Sequence, residues 1–121
     1  MTKSLEDYLE AIYRRTQETG FSRVVDVAKM LHVKMPSVNN AVKELASLQL
    51  VKYEKYREIT LTDEGTAVAK KVFEHHTVLK NFLLSLGVSE DNAEHDACAM
   101  EHILSDETIA AMEKATRTIR G

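Results

Sequence analysis

Near the end of the chain, Cys98, Glu101 and His102 stand at spacing i, i+3, i+4. On a helix that spacing sets a thiol, a carboxylate and an imidazole side by side on one face. All three are metal-ligand groups, of different hardness, gathered within a turn and a half. Three more residues of the same chemistry lie upstream: Asp7 and Glu10, one turn apart and off the apolar stripe of a first helix, and His76, on the stripe of a fourth. Singly, each has an ordinary explanation, with Cys98 a small hydrophobe, His76 a hydrogen-bonded core residue and the acids a solvated surface. Six such residues spread over three helices form a metal-site pattern. Hydrolytic or thiol chemistry fits poorly, because Cys98 and His102 on one helix bring no pocket and no oxyanion donors. No catalytic residue, and no enzyme, is expected.

The elements that position these residues follow from periodicity. Ser4-Leu5-Glu6-Asp7 has the form of a helix start, and Leu5, Tyr8, Leu9, Ile12 and Tyr13 make an apolar stripe that ends near Gly20. Residues 24–31 form a short helix with Val24, Val27, Ala28 and Leu31 inward; His32-Val33-Lys34 is a turn, with His32 where a left-handed glycine often stands. Pro36 suits the first turn of a third helix, whose buried face is Val38, Ala41, Val42, Leu45 and Leu48. Residues 50–54 and 58–62 alternate as two short strands. Thr62 caps a fourth helix that runs to about Leu86 and carries Val68, Val72, His76, Leu79 and Leu83 on one stripe. Ser89 opens a fifth helix bearing Cys98, Glu101 and His102, and Ser105 a sixth. The fold class is mainly α with a small β-wing: a winged helix-turn-helix domain at 1–72, then a helical metal-binding and dimerisation domain at 73–121.

The third helix is about 18 Å long and suits a DNA major groove about 12 Å wide. Its exposed face offers Lys34, Ser37, Asn39, Asn40 and Lys43; Lys52, Lys55 and Arg57 let the wing grip phosphates, and Arg23 and Lys29 add backbone contacts. The net charge of −3 is unusual for a DNA binder, but it is unevenly spread. Residues 1–72 hold 12 Lys/Arg against 10 Asp/Glu, a net of +2, and residues 73–121 hold 4 against 9, a net of −5. A mildly basic front suits DNA, and an acidic back suits a cation. One cysteine excludes an intrachain disulfide, the apolar runs are short of a membrane span, and the acidic start is unlike a signal peptide. A cytoplasmic location is expected.

EDYLEAIY at 6–13, the helix-turn-helix, YEKYREITLTDEG at 53–65 and DACAMEHILSDE at 96–107 resemble the diphtheria toxin repressor family, most nearly its short manganese transport regulators. The last segment is the most specific, because it sets Cys98, Glu101 and His102 in one register. The resemblance implies a metal ligand set residue by residue. Asp7 and Glu10 match the first-helix ligands of the manganese branch, His76 a histidine ligand of both branches, and Glu101 and His102 their shared Glu-His pair. Cys98 matches a cysteine of the iron branch, where the manganese branch commonly has Glu. Lys80 falls where the iron branch places a Glu of an ancillary site, and the 121 residues end before any third, SH3-like domain.

The implied cofactor is Mn²⁺ or Fe²⁺, with Co²⁺ or Zn²⁺ as in vitro ligands, since carboxylates suit Mn²⁺ and thiolate the others. The implied function is metal-dependent repression of metal-ion homeostasis genes; the alternative is a winged-helix regulator that does not sense metal. Expected partners are a double-stranded DNA operator, the divalent ion and a second copy of the chain, and no membrane. The fifth and sixth helices carry more apolar residues than one small lobe can bury, Ala97, Met100, Ile103, Leu104, Ile109 and Met112, so a homodimer is expected through the fifth helix with help from the first. Clustered carboxylates are expected to repel one another without metal.

Overall fold

The structure, a computed structural model, describes residues 1–53 and 58–120. The described elements run α1 Lys3–Thr19, α2 Val24–Leu31, α3 Met35–Ser47, β1 Val51–Tyr53, β2 Ile59–Leu61, α4 Asp63–Ser85, α5 Glu90–Met100 and α6 Asp106–Arg120. They pack as two compact units, Met1–Lys70 and Lys71–Gly121.

In the first unit α1 begins two residues earlier than Ser4 suggests. Thr2 is the cap, its Oγ1 accepting from the Leu5 N–H at 3.2 Å, and Ser4 lies inside the first turn. Gly20 ends the helix at φ 87°, a conformation open to glycine at little cost. Between α2 and α3, His32 adopts φ 55°, ψ 44°, and the Val33 N–H donates to the Ala28 carbonyl at 3.0 Å. Pro36 sits in the first turn of α3. Leu9 and Ile12 of α1, Val27 of α2, Val38, Val42 and Leu45 of α3, and Ile59 of β2 are fully buried and form one core. Leu48 corrects the expected α3 face: it is the C-cap and 50% exposed, because the helix ends one residue before it.

The wing pairs Val51 with Leu61, Lys52 with Thr60 and Tyr53 with Ile59, antiparallel. The Ile59 N–H also donates to the Ser22 carbonyl at 2.7 Å, tying β2 to the link between α1 and α2. At its base the wing meets the start of α4. The Leu50 carbonyl accepts from the Thr62 N–H at 3.1 Å, and Thr62 Oγ1 caps α4 by accepting from the Gly65 N–H at 2.9 Å. Gly65 is buried against Leu50, and a Cβ there would overlap the Leu50 carbonyl oxygen.

In the second unit Ser89 caps α5 and Ser105 caps α6, each accepting from the N–H three residues on. Gly87, at φ 91°, follows α4. Leu79, Ala97 and Ile109 are buried together, with Val78, Leu83, Met100, Leu104 and Met112 packed around them. Five of the six apolar residues expected to exceed what one lobe can bury therefore serve this unit's own core. Ile103 is the exception, 78% exposed.

Candidate functional site

The metal-type residues of the second unit converge on His76, which is buried on α4. Its Nδ1 lies 3.0 Å from Glu101 Oε2 and its Nε2 lies 3.0 Å from Glu94 Oε2. An ionised carboxylate only accepts, so with both acids ionised the two bonds need a proton on each ring nitrogen, and the pairing favours the imidazolium form of His76. Its hydrogen bond to Glu101 is the largest influence and, with Glu94, holds its pKa above the ordinary 6.5 against the opposing effect of burial. Glu94 is in turn held at 3.1 Å by Lys80 Nζ, which also reaches Glu90 at 2.9 Å. Burial would raise the Glu94 carboxyl, but His76 and Lys80 outweigh it and keep the group below its ordinary 4.5.

Glu101 is the centre of this arrangement, its side chain wholly shielded from water. Besides His76 on Oε2, it has His102 Nε2 at 3.4 Å from Oε1. The helix that presents it is shorter than the sequence suggests. α5 ends at Met100, Glu101 is its C-cap, and His102 lies in the turn that follows. The Glu101 N–H still donates to the Ala97 carbonyl at 3.0 Å, so the backbone stays close enough to helical to keep Glu101 beside Cys98.

His76, Cys98 and Glu101 each offer a ligand atom, and these atoms all lie within 4.8 Å of one another. An ion held at about 2.0–2.3 Å from each would keep its donors roughly 3–4.5 Å apart, so small side-chain rotations suffice. The donor set of one imidazole, one carboxylate and one exposed thiol suits a divalent transition metal. In the first unit, Glu10 is buried on α1 and accepts an ion pair from Arg14 at 3.2 Å, and Asp7 is half-buried one turn before it.

Glu10, Glu94 and Glu101 each face a basic group, which tempers the repulsion expected among the carboxylates. Glu94 pairs with both His76 and Lys80, a role the sequence reading does not assign it. It and Lys80 were findable, because Lys80 stands one turn after His76 and Glu94 one turn before Cys98. Of the other histidines, His32 and His95 are exposed, while His75 is partly buried with Nε2 3.7 Å from Asp106.

The side chains assigned to DNA lie mostly in water. Lys29, Lys34, Ser37, Asn40, Lys43 and Lys52 are exposed on α2, the turn, α3 and β1. Arg23, the N-cap of α2, is exposed, stacks 5.1 Å over the Phe21 ring and lies 3.7 Å from Glu58. Asn39 is only half-exposed, its Oδ1 accepting from the Tyr53 hydroxyl at 2.8 Å. Lys55 and Arg57 lie outside the described residues. No described helix is long and apolar enough to cross a membrane.

Both parts of the chain match known proteins. Residues 1–59 match the N-terminal DNA binding domain of the iron dependent repressors, and residues 62–120 their metal binding and dimerisation domain. An uncharacterised HTH-type transcriptional regulator of Methanocaldococcus jannaschii is 41% identical over 115 residues, covering 93% of this chain and 92% of its own. The HTH-type transcriptional regulator MntR of Geobacillus thermodenitrificans is 40% identical over 104 residues, 86% of this chain and 74% of its own. Among solved structures, the manganese regulator SloR superposes with a TM-score of 0.83 at 28% identity over 97% of this chain. The chain spans about half the length of that regulator, 55%.

Proposed function

The chain belongs to the diphtheria toxin repressor family of iron-dependent repressors, on its short manganese-regulator branch, and we propose that it is a metal-dependent, DNA-binding transcriptional repressor of metal-ion homeostasis genes. In this reading residues 1–72 read a duplex operator and residues 73–121 hold the metal and pair two copies of the chain in the cytoplasm. Carrying the proposal is the convergence of His76, Cys98 and Glu101 in a chain that also folds a winged helix-turn-helix.

The ligand set is His76, Cys98, Glu101 and His102 with Asp7 and Glu10, the last two resting on the family resemblance. The ion is Mn²⁺ or Fe²⁺, which when bound supplies a positive charge shared among carboxylates, imidazole and thiolate. The chain's own groups set the terms of loading. His76 must give up a ring proton to expose a lone pair, and Glu101 must loosen its hold on that N–H. Arg14 holds Glu10 in the same way, as a counterion to be displaced. Metal binding is thus an exchange of partners. If the metal-bound form favours DNA, then DNA favours metal by the same free energy, typically about 1–3 kcal/mol.

The test is selection from a randomised duplex library with Mn²⁺, with Fe²⁺ under anaerobic conditions, and with a chelator. The selected duplex is then titrated at fixed ionic strength against the wild type and Asp7→Asn/Glu10→Gln. Expected is sequence-selective binding that needs metal, with the gain reduced in the double variant while weak, salt-sensitive, non-specific binding persists. Equal affinity for the duplex with metal and with chelator refutes metal sensing and leaves a winged-helix regulator of another kind.

A further inference from the structure

Two adjacent asparagines on α3, Asn39 and Asn40, have the amide chemistry that pairs with adenine in a major groove. Their surroundings separate them. Each residue of a helix is turned by roughly 100° from the one before. The buried residues Val38, Ala41, Val42 and Leu45 define one direction around α3. Asn40 and Lys43 lie within roughly 30° of the opposite direction, on the outermost ridge with Pro36. Asn39 falls on the flank, roughly 110° from the centre of the buried face. On that flank it meets the wing: the Tyr53 hydroxyl, at the end of β1, donates to Asn39 Oδ1 at 2.8 Å across 14 residues of sequence.

A bidentate pair with adenine needs an asparagine to accept from the N6 amino group and donate to N7 at once, in one plane. The Asn39 Oδ1 is already engaged by a phenol held on a strand, and its amide plane is set by that bond. The Tyr53 side chain is half-buried, so the hydrogen bond is partly shielded from water. It is a long-range bond between the recognition helix and the wing, and the wing is held on its other side by the Ser22 carbonyl.

Given the DNA-reading role proposed above, we propose that Asn39 is a positioning residue that fixes the wing to the recognition helix, and that Asn40 is the asparagine that reads a base edge. Tyr53 belongs with Asn39. Together they set the angle at which wing and helix meet the duplex. Asn40, beside Lys43, contributes sequence preference.

The experiment selects binders from a randomised duplex library, in Mn²⁺, for wild type, Asn40→Ala, Asn39→Ala and Tyr53→Phe, and measures affinities for the selected duplex and its single-base variants. Asn40→Ala should flatten the preference at one position, by roughly five- to a hundredfold. Tyr53→Phe and Asn39→Ala should weaken binding about two- to tenfold to all sequences alike and leave the base preference unchanged. A loss of preference at one position in Asn39→Ala, or an unchanged preference in Asn40→Ala, overturns the proposal. A second readout needs no DNA: amide-proton NMR of the Asn39 side chain. Its two N–H signals should be separated from the exposed asparagines in the wild type and move towards them in Tyr53→Phe, which keeps the ring and loses only the hydroxyl. Asn39 signals indifferent to Tyr53→Phe overturn the proposal even if no duplex is selected, an outcome that would count instead against DNA reading as such.

Discussion

Gly65→Ala isolates what the wing base contributes. The added Cβ would overlap the Leu50 carbonyl oxygen and lie 2.8 Å from its carbon and 3.2 Å from Leu50 Cα. Carbon atoms in contact sit about 3.5–4.0 Å apart, so the α4 start and the Leu50 backbone must separate by about an ångström. Neither side is a flexible side-chain end, and both are tied: the Leu50 carbonyl accepts from the Thr62 N–H, and Thr62 Oγ1 caps Gly65. Overpacking costs about 1–3 kcal/mol, and loss of the Thr62 cap adds about 1 kcal/mol. Against this, alanine is the better helix former by about 1 kcal/mol. The net is a loss of about 1–3 kcal/mol. For a domain of 60–100 residues each kcal/mol moves the melting midpoint by about 4–8 °C, so a drop of roughly 5–20 °C is expected. Circular dichroism melts at 222 nm on the full chain, with Gly20→Ala as a contrast, measure it; at Gly20 a Cβ meets nothing within 4 Å and the cost is that of a left-handed backbone. A midpoint within 2 °C of wild type for Gly65→Ala would refute the close-contact argument.

Three further outcomes follow from the site. His76 is raised above 6.5, so its pairing stabilises the metal-free protein fully below pH 6.5 and is lost as pH rises through the raised value. Proton NMR should show His76 titrating above 6.5 in wild type and lower in Glu101→Gln; a wild-type midpoint at or below 6.5 would sink the imidazolium assignment. Cys98→Glu replaces a thiolate with a carboxylate and should move the metal ranking from Co²⁺ and Zn²⁺ towards Mn²⁺ in competition titrations, and an unchanged ranking removes Cys98 from the ligand set. Lys80→Met takes a positive charge away from Glu94 and should raise divalent-metal affinity up to about fivefold at low salt, with the gain fading at high salt. Calorimetry showing equal or weaker binding would contradict it.

Local signals made much of this molecule readable in advance. Gly20, Pro36, Ser89 and Ser105 mark helix ends because each satisfies a backbone need by itself, and the structure uses all four. Legibility failed where two residues compete for one role or where a partner is far away in sequence. Thr2 and Ser4 are both competent caps, and nothing local decides between them. Leu48 has the right spacing for the α3 core, but spacing cannot say that the helix stops at Ser47. Glu94 was visible as a carboxylate near Cys98; its bond to His76 depends on α4 and α5 packing side by side. The Tyr53–Asn39 bond depends in the same way on where the wing lies against α3.

The turn between α2 and α3 has a consequence in the unfolded chain. A left-handed non-glycine residue costs about 1–2 kcal/mol, and His32 bears that strain at φ 55°. Glycine in its place would relieve the strain, yet it would also widen the denatured ensemble, which opposes folding by about 0.4–1 kcal/mol. The second effect offsets only about half of the first, so the histidine leaves the fold a net cost of up to about 1.5 kcal/mol. The turn's geometry is kept by the Val33-to-Ala28 backbone bond. Entropy saved in the disordered chain compensates for part of the strain kept in the folded one.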